Sequence, residues 1–134
     1  MVLTDTTVWI EFFKSNQAFF NEMESLLESK EVITIEPIFA ELLYGARSHK
    51  ERSMILSYWK VLPHIRFTEG TLIESADFGN KRDYINLGIG LIDTILVKAA
   101  IENKYLIWTL DKKILNNLDK QFLYTPLTYG ISKT

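Results

Sequence analysis

Apolar and polar positions along the chain switch between two rhythms. Val2–Asp5 reads as the end of a short strand, followed by a polar turn at Asp5-Thr6-Thr7. From Ser15 to Ser29, Phe19, Phe20, Met23, Leu26 and Leu27 recur at helical spacing with Glu22, Glu24 and Glu28 elsewhere. That periodicity predicts an amphipathic helix, with Ser15 as its N-cap. Val32–Glu36 is β-branched and strand-like. Pro37 suits the first turn of a helix running to about Arg47, with Gly45 near its end. Residues 51–62 carry a stripe of Met54, Ile55, Tyr58, Trp59 and Leu62, closed by Pro63. A short strand at Ile65–Phe67, a helix over 71–82 and a loop over Asn86–Gly90 follow. The rest reads as a helix over Ile92–Asn103, a strand over Tyr105–Thr109, a helical turn over Lys112–Leu118 and a last strand at Phe122–Tyr124. Strands that alternate with helices predict an α/β fold, a mostly parallel sheet covered on both faces. The aromatic stripe of residues 54–62 and the Trp9, Phe12, Phe13 cluster are expected in the core, with a partner surface as the other reading.

Composition narrows the class. With 134 residues, 47 % of them apolar, and only 6 Gly and 3 Pro, the expectation is one domain over 1–134 with its own core. The absence of cysteine excludes a disulfide scaffold, thiolate zinc sites and a cysteine nucleophile, and suits a reducing, cytoplasmic setting. The opening Met1-Val-Leu-Thr-Asp has no basic flank, so no signal peptide is expected. No apolar run reaches the ~18 residues of a membrane span. A net charge of −2 runs against a non-specific nucleic-acid binder. Bound divalent metals would reverse that local field. Basic residues group at Arg47, His49, Lys50 and Arg52, and again at Lys112 and Lys113. Either group could hold phosphates; a solvated helix end is the plainer reading of each. His49 and His64 have no zinc-ligand spacing.

The acids are informative by position. In an open α/β sheet, ligands gather beyond the carboxyl ends of the strands. Asp5 ends the first strand, Asp93 lies in the first turn of a helix, and Asp111 lies two residues past the Tyr105–Thr109 strand. Glu41 sits among Ile38, Phe39, Ala40, Leu42, Leu43 and Tyr44, a helix apolar nearly all round and so expected to be buried. Each acid has an ordinary alternative: an Asx turn for Asp5, a dipole contact for Asp93, an N-cap for Asp111, and pairing of Glu41 with Arg47 or Lys60. Convergence of all four on one sheet edge suits Mg²⁺, a hard ion bound by carboxylates, waters and phosphate oxygens.

These residues also carry a resemblance. Leu3-Thr-Asp5-Thr-Thr-Val-Trp-Ile10 resembles the opening of PIN-domain ribonucleases. Ala40-Glu41-Leu-Leu-Tyr-Gly45 is similar to their Glu-Leu-x-x-Gly helix, Ile89-Gly-Leu-Ile-Asp93-Thr to their third-acid helix, and Trp108-Thr109-Leu-Asp111 to their Thr-x-Asp segment. Within that family, length and opening look most like the VapC toxins of toxin–antitoxin pairs. The resemblance implies a three-layer α/β/α PIN fold and a metal-dependent endoribonuclease using Mg²⁺ or Mn²⁺. Asp5, Glu41, Asp93 and Asp111 would form the acidic quartet, with Asp5 and Asp93 as direct ligands. Thr7 and Thr109 would support the site, or simply cap turns; Arg47 and Lys112, taken from the two basic groups and not from the resemblance, are the candidates to meet substrate. It also implies RNA as substrate, a VapB-like antitoxin as partner, and a homodimer. The chain departs from the pattern at Lys112 and Lys113, where many relatives carry a further acid, and at Val97-Lys98. A haloacid-dehalogenase phosphohydrolase would want Asp-x-Asp after the first strand, where this chain has Asp5-Thr6-Thr7. A receiver domain would need an early acidic pair. A PIN-like module that binds RNA or protein with little cutting is the alternative function.

Overall fold

Four short strands lie side by side: β1 (Val2–Thr4), β2 (Val32–Ile35), β3 (His64–Ile65) and β4 (Leu106–Trp108). Their order is β3-β2-β1-β4, and every pairing is parallel. The computed structural model describes residues 1–127. Register is tight around the central strand: Leu3 sits opposite Ile33 on one side and Ile107 on the other. Leu123 adds a single parallel bridge to Ile107, so the strand expected at Phe122–Tyr124 is reduced to that bridge after a 3₁₀ turn at Lys120–Phe122.

Strand order fixes the layers. Crossovers between parallel strands are right-handed. The chain steps from β1 to β2 to β3 in one direction, so the helices between them share a face: α1 (Thr6–Phe13), α2 (Gln17–Glu28), α3 (Glu36–Tyr44) and α4 (His49–Val61). It then returns past β1 to β4, which puts α5 (Thr71–Lys81) and α6 (Leu91–Asn103) on the other face. The packing agrees, with α1 against α2 and α3, α3 against α4, and α5 against α6. The result is a three-layer α/β/α fold with an all-parallel sheet, close to the mostly parallel one expected. A short α7 (Lys112–Asn117) follows β4. No helix among the described residues is long and apolar enough to cross a membrane.

Two expectations fail at the start of the chain. Residues 6–13 are helical rather than a turn and its sequel. Val8, Trp9 and Phe12 fall on one side of α1 and are buried. That burial outweighs the weak helix preference of Thr6, Thr7, Val8 and Ile10. Ser15 is not the N-cap of α2; Asn16 is. With α1 ending at Phe13, the chain must reverse at once, and Ser15 takes a left-handed φ of 59°, which an extended N-cap cannot have. Trp9 and Phe12 meet Tyr58 of α4, and Trp9 meets Phe39 of α3, so both aromatic groups belong to the core.

α6 is buried along most of its length, through Thr94, Ile95, Leu96, Val97, Ala99 and Ala100. It packs close against α5 at Gly79, where a Cβ would stand 2.6 Å from Thr94 Cγ2. Lys98, on the same helix, lies at the α5 side and is held by Glu102 at 2.6 Å and Glu74 at 4.0 Å.

Candidate active site

The strand order reverses at β1, with β2 on one side and β4 on the other. A crevice therefore opens beyond the carboxyl ends of β1 and β4, the place where doubly wound sheets take ligands. Asp5 leaves β1 at this point, buried to 1 % exposure, and caps α1. Its Oδ1 accepts from the Thr6 N–H at 2.7 Å and, more weakly, from the Thr6 hydroxyl at 3.3 Å. Its Oδ2 accepts from the Thr7 hydroxyl at 3.0 Å and from the Thr109 hydroxyl at 2.6 Å. Both hydroxyls act twice. Thr7 Oγ1 accepts from the Leu110 N–H at 3.1 Å, and Thr109 Oγ1 accepts from the Asp111 N–H at 3.0 Å. The two threonines thus cap the strand ends and orient Asp5, which joins the two roles open for them from sequence. A buried carboxylate needs such donors, because an unpartnered one is costly to bury.

Asp111 caps α7, its Oδ1 accepting from the Lys113 N–H at 2.8 Å. The expected N-cap role is real, and it does not remove Asp111 from the site. Asp93 stands half-buried in the first turn of α6. Glu41 reaches in from α3. Together the four acids line one recess of about 460 Å³ with Thr6, Thr7, Gly90, Leu91 and Ile92.

Glu41 corrects the sequence reading. It is exposed, at the rim of the recess, because α3 buries Ile38, Phe39 and Leu42 and leaves Glu41 and Tyr44 to solvent. Apolar composition suggested a buried helix; the face on which each residue falls decides otherwise. Nor does Glu41 form an ion pair with Arg47 or Lys60 among the described residues.

The acids feel one another. Burial first, and then the charges of Asp5, Asp111 and Glu41, push the Asp93 carboxyl up to about 7, while Lys113 opposes them. Lys113 is therefore the cation whose charge reaches Asp93, while its neighbour Lys112, the substrate candidate of that basic pair, does not figure there. Arg47 lies elsewhere, in an adjoining groove of about 690 Å³. That groove shares Thr6 and Glu41 with the recess and carries Lys14, Arg47 and Lys50. Lys14 escaped sequence reasoning because it ends a helix that the sequence did not announce. Of the basic group after α3, Arg47 and Lys50 line the groove, whereas His49 and Arg52 do not.

Carboxylate oxygens in a recess are the donors that hard divalent cations prefer. The crowding of negative charge around Asp93 is what a cation relieves. Among the described residues, no group of three or more Asp, Glu or His side chains is already closed around one point. The residues suit a hard divalent cation by chemistry and by their shared recess, with Glu41 at its exposed rim.

The PIN domain family profile matches residues 2–121. This chain belongs to the PIN-domain family. Two solved structures share the PIN fold seen here. One is a chain from the crystal structure of VapBC2 from Rickettsia felis bound to a DNA fragment from their promoter, 18 % identical with a TM-score of 0.71. That match covers 92 % of this chain and 98 % of the other. The second comes from a toxin–antitoxin complex of Klebsiella pneumoniae, 16 % identical with a TM-score of 0.70, over 94 % and 98 % of the two chains. Among curated proteins, none matches the chain.

Proposed function

We propose that this PIN-domain chain is a metal-dependent endoribonuclease, one nuclease domain over residues 1–134, and the toxin of a VapBC-type toxin–antitoxin pair. One observation carries the reading: four carboxylates from four separate elements line one recess at the point where strand order reverses. Asp5 and Asp93 would hold Mg²⁺ or Mn²⁺ directly, and Glu41 and Asp111 would complete the set. When bound, such an ion polarises the scissile phosphate and makes water a stronger acid at neutral pH.

The chain's own residues do the rest. Thr7 and Thr109 hold Asp5 in one orientation through bonds of 3.0 and 2.6 Å. The Asp93 carboxyl, pushed up to about 7, divides at neutrality between its protonated and ionised forms, and positive charge beside it favours the ionised one. Lys14, Arg47 and Lys50 in the adjoining groove are placed to grip phosphates on one side of the cut. The likeness to chains from two toxin–antitoxin complexes supports the toxin reading and a VapB-like antitoxin partner; a homodimer and a cytoplasmic site of action are part of the same proposal.

The test is cleavage of a pool of structured RNAs by purified protein in Mn²⁺, beside EDTA and Asp93→Asn controls. The expected outcome is cutting that needs both the metal and Asp93, with small phosphate esters left intact. RNA that is bound but never cut would replace the nuclease reading with that of a binding module.

A further inference from the structure

The groove beside the recess has two kinds of wall. Lys14, Arg47 and Lys50 line it, and none of them is held in an ion pair among the described residues. Phosphates account for those cations. They do not account for the apolar side chains of α1 and α4 in the same groove, Ile10, Phe13 and Met54. Ile10 keeps 44 % of its surface exposed, and Phe13 and Met54 are half-buried. Phe13 is also fixed from behind. Its ring stacks on the buried Trp9, with 5.6 Å between centroids and 26° between planes, and is flanked by Phe12 and Tyr58 at 5.8 and 5.9 Å. A side chain already held in this way loses little freedom when a ligand packs against it. The groove, about 690 Å³, meets the acidic recess at Thr6 and Glu41, so whatever lies in it lies beside the acids.

Unpaired RNA presents both matching surfaces, a charged backbone and flat bases that can be splayed out against apolar or aromatic side chains. In a duplex the faces of the bases are stacked away. We propose that this groove receives an unpaired nucleobase, so that the chain takes RNA that is single-stranded beside the scissile bond, with Ile10, Phe13 and Met54 as specificity-determining walls and Lys14, Arg47 and Lys50 on the neighbouring phosphates. The inference rests on the ribonuclease reading and names the form of RNA it takes. Apolar walls recognise that a base is present rather than which base it is.

The experiment is fluorescence anisotropy of the whole chain in EDTA, so that nothing is cut, with three labelled probes of one length. They are a single RNA strand, the same ribose–phosphate backbone without bases, and the strand annealed to its complement. Wild type is compared with Ile10→Ala, Met54→Ala, the two together, and Lys14→Ala, each checked for folding by near-UV circular dichroism. Phe13 is left in place because it packs on Trp9. Wild type should bind the intact strand about tenfold more tightly than the baseless one, the worth of one stacked base, and more tightly than the duplex. Each alanine at 10 or 54 should lower that ratio, and the two together should bring it to about twofold while leaving affinity for the baseless strand unchanged. Lys14→Ala should weaken both strands alike and keep the ratio. Intact and baseless strands bound by wild type within roughly twofold of each other, or a duplex bound as tightly as the strand, overturn the inference and leave the ribonuclease reading standing. So does a preference for bases that survives undiminished in the doubly substituted protein, which would place the base elsewhere. Absence of binding of every probe by wild type removes RNA from the groove, and this inference with it.

Discussion

At the scale of single residues, Asp93 makes the site's electrostatics measurable. Its carboxyl stands near 7 in the fold against an ordinary 3.8. Above 3.8 the unfolded chain gives up that proton while the folded chain retains it, so this group's contribution to stability falls as pH rises from 3.8 to about 7. Asp93→Asn removes the cost. It should melt higher than wild type at pH 8, with the advantage fading toward pH 4, in a thermal-melt series across pH. Mn²⁺ at pH 8 should raise the melting temperature of wild type more than that of the variant, because the ion relieves the same charge. Equal shifts would remove Asp93 from the ion's surroundings. Thr109 offers a second handle. Thr109→Val keeps the shape but deletes the donor to Asp5 and the acceptor for the Asp111 N–H. It should cost about 1–3 kcal/mol in urea unfolding and lower the RNA cleavage rate at saturating Mn²⁺. A variant as active as wild type would show that the hydroxyl only caps the strand.

At the scale of elements, α6 carries Asp93 and α5 sets where α6 lies. A methyl at position 79 would meet Thr94 Cγ2 at 2.6 Å, one residue from the acid. Gly79→Ala should therefore destabilise by about 1–3 kcal/mol, read by urea denaturation, and reduce cleavage as α6 shifts. Adding Thr94→Ser, which deletes that Cγ2, should recover part of both; no recovery would mean that the helices touch differently in solution. The same elements show what a sequence reveals. α6 and β4 were legible because Ile92–Asn103 and Tyr105–Thr109 carry long apolar patterns, and the acids were legible because each sits just past a strand or inside a helix. α1 was not, since Asp5-Thr6-Thr7 has the chemistry of a turn as well as of an N-cap. The spacing of Val8, Trp9 and Phe12 was the available signal. Missing α1 hid Lys14 and, with it, one wall of the groove. The exposure of Glu41 and the choice of Lys113 over Lys112 depend on how a helix is rotated in the fold, which composition does not encode.

At the scale of the molecule, a chain of net charge −2 keeps Lys14, Arg47 and Lys50 along one groove that opens into its acidic recess. These three cations outnumber the two acids of the same groove, Glu41 and Glu51, so overall charge is a poor guide to what the groove attracts. Replacing Lys14, Arg47 and Lys50 together by Ala should flatten the log–log salt dependence of single-stranded RNA binding by about 2, roughly 0.7 for each phosphate no longer neutralised. Fluorescence anisotropy in EDTA measures this without any cutting, and an unchanged slope would place the RNA elsewhere. The Thr109–Asp5 bond has a different consequence. It joins residues 104 apart, and the central strand β1 finds its second neighbour only in β4, the last strand of the sheet. On the ribosome, β1 keeps one bare edge until β4 has emerged, and no nascent fragment that stops short of Asp111 has the recess at all. Under the proposed nuclease reading, the order of synthesis is then a safeguard: the recess is complete only once residues 5 to 111 have all been made.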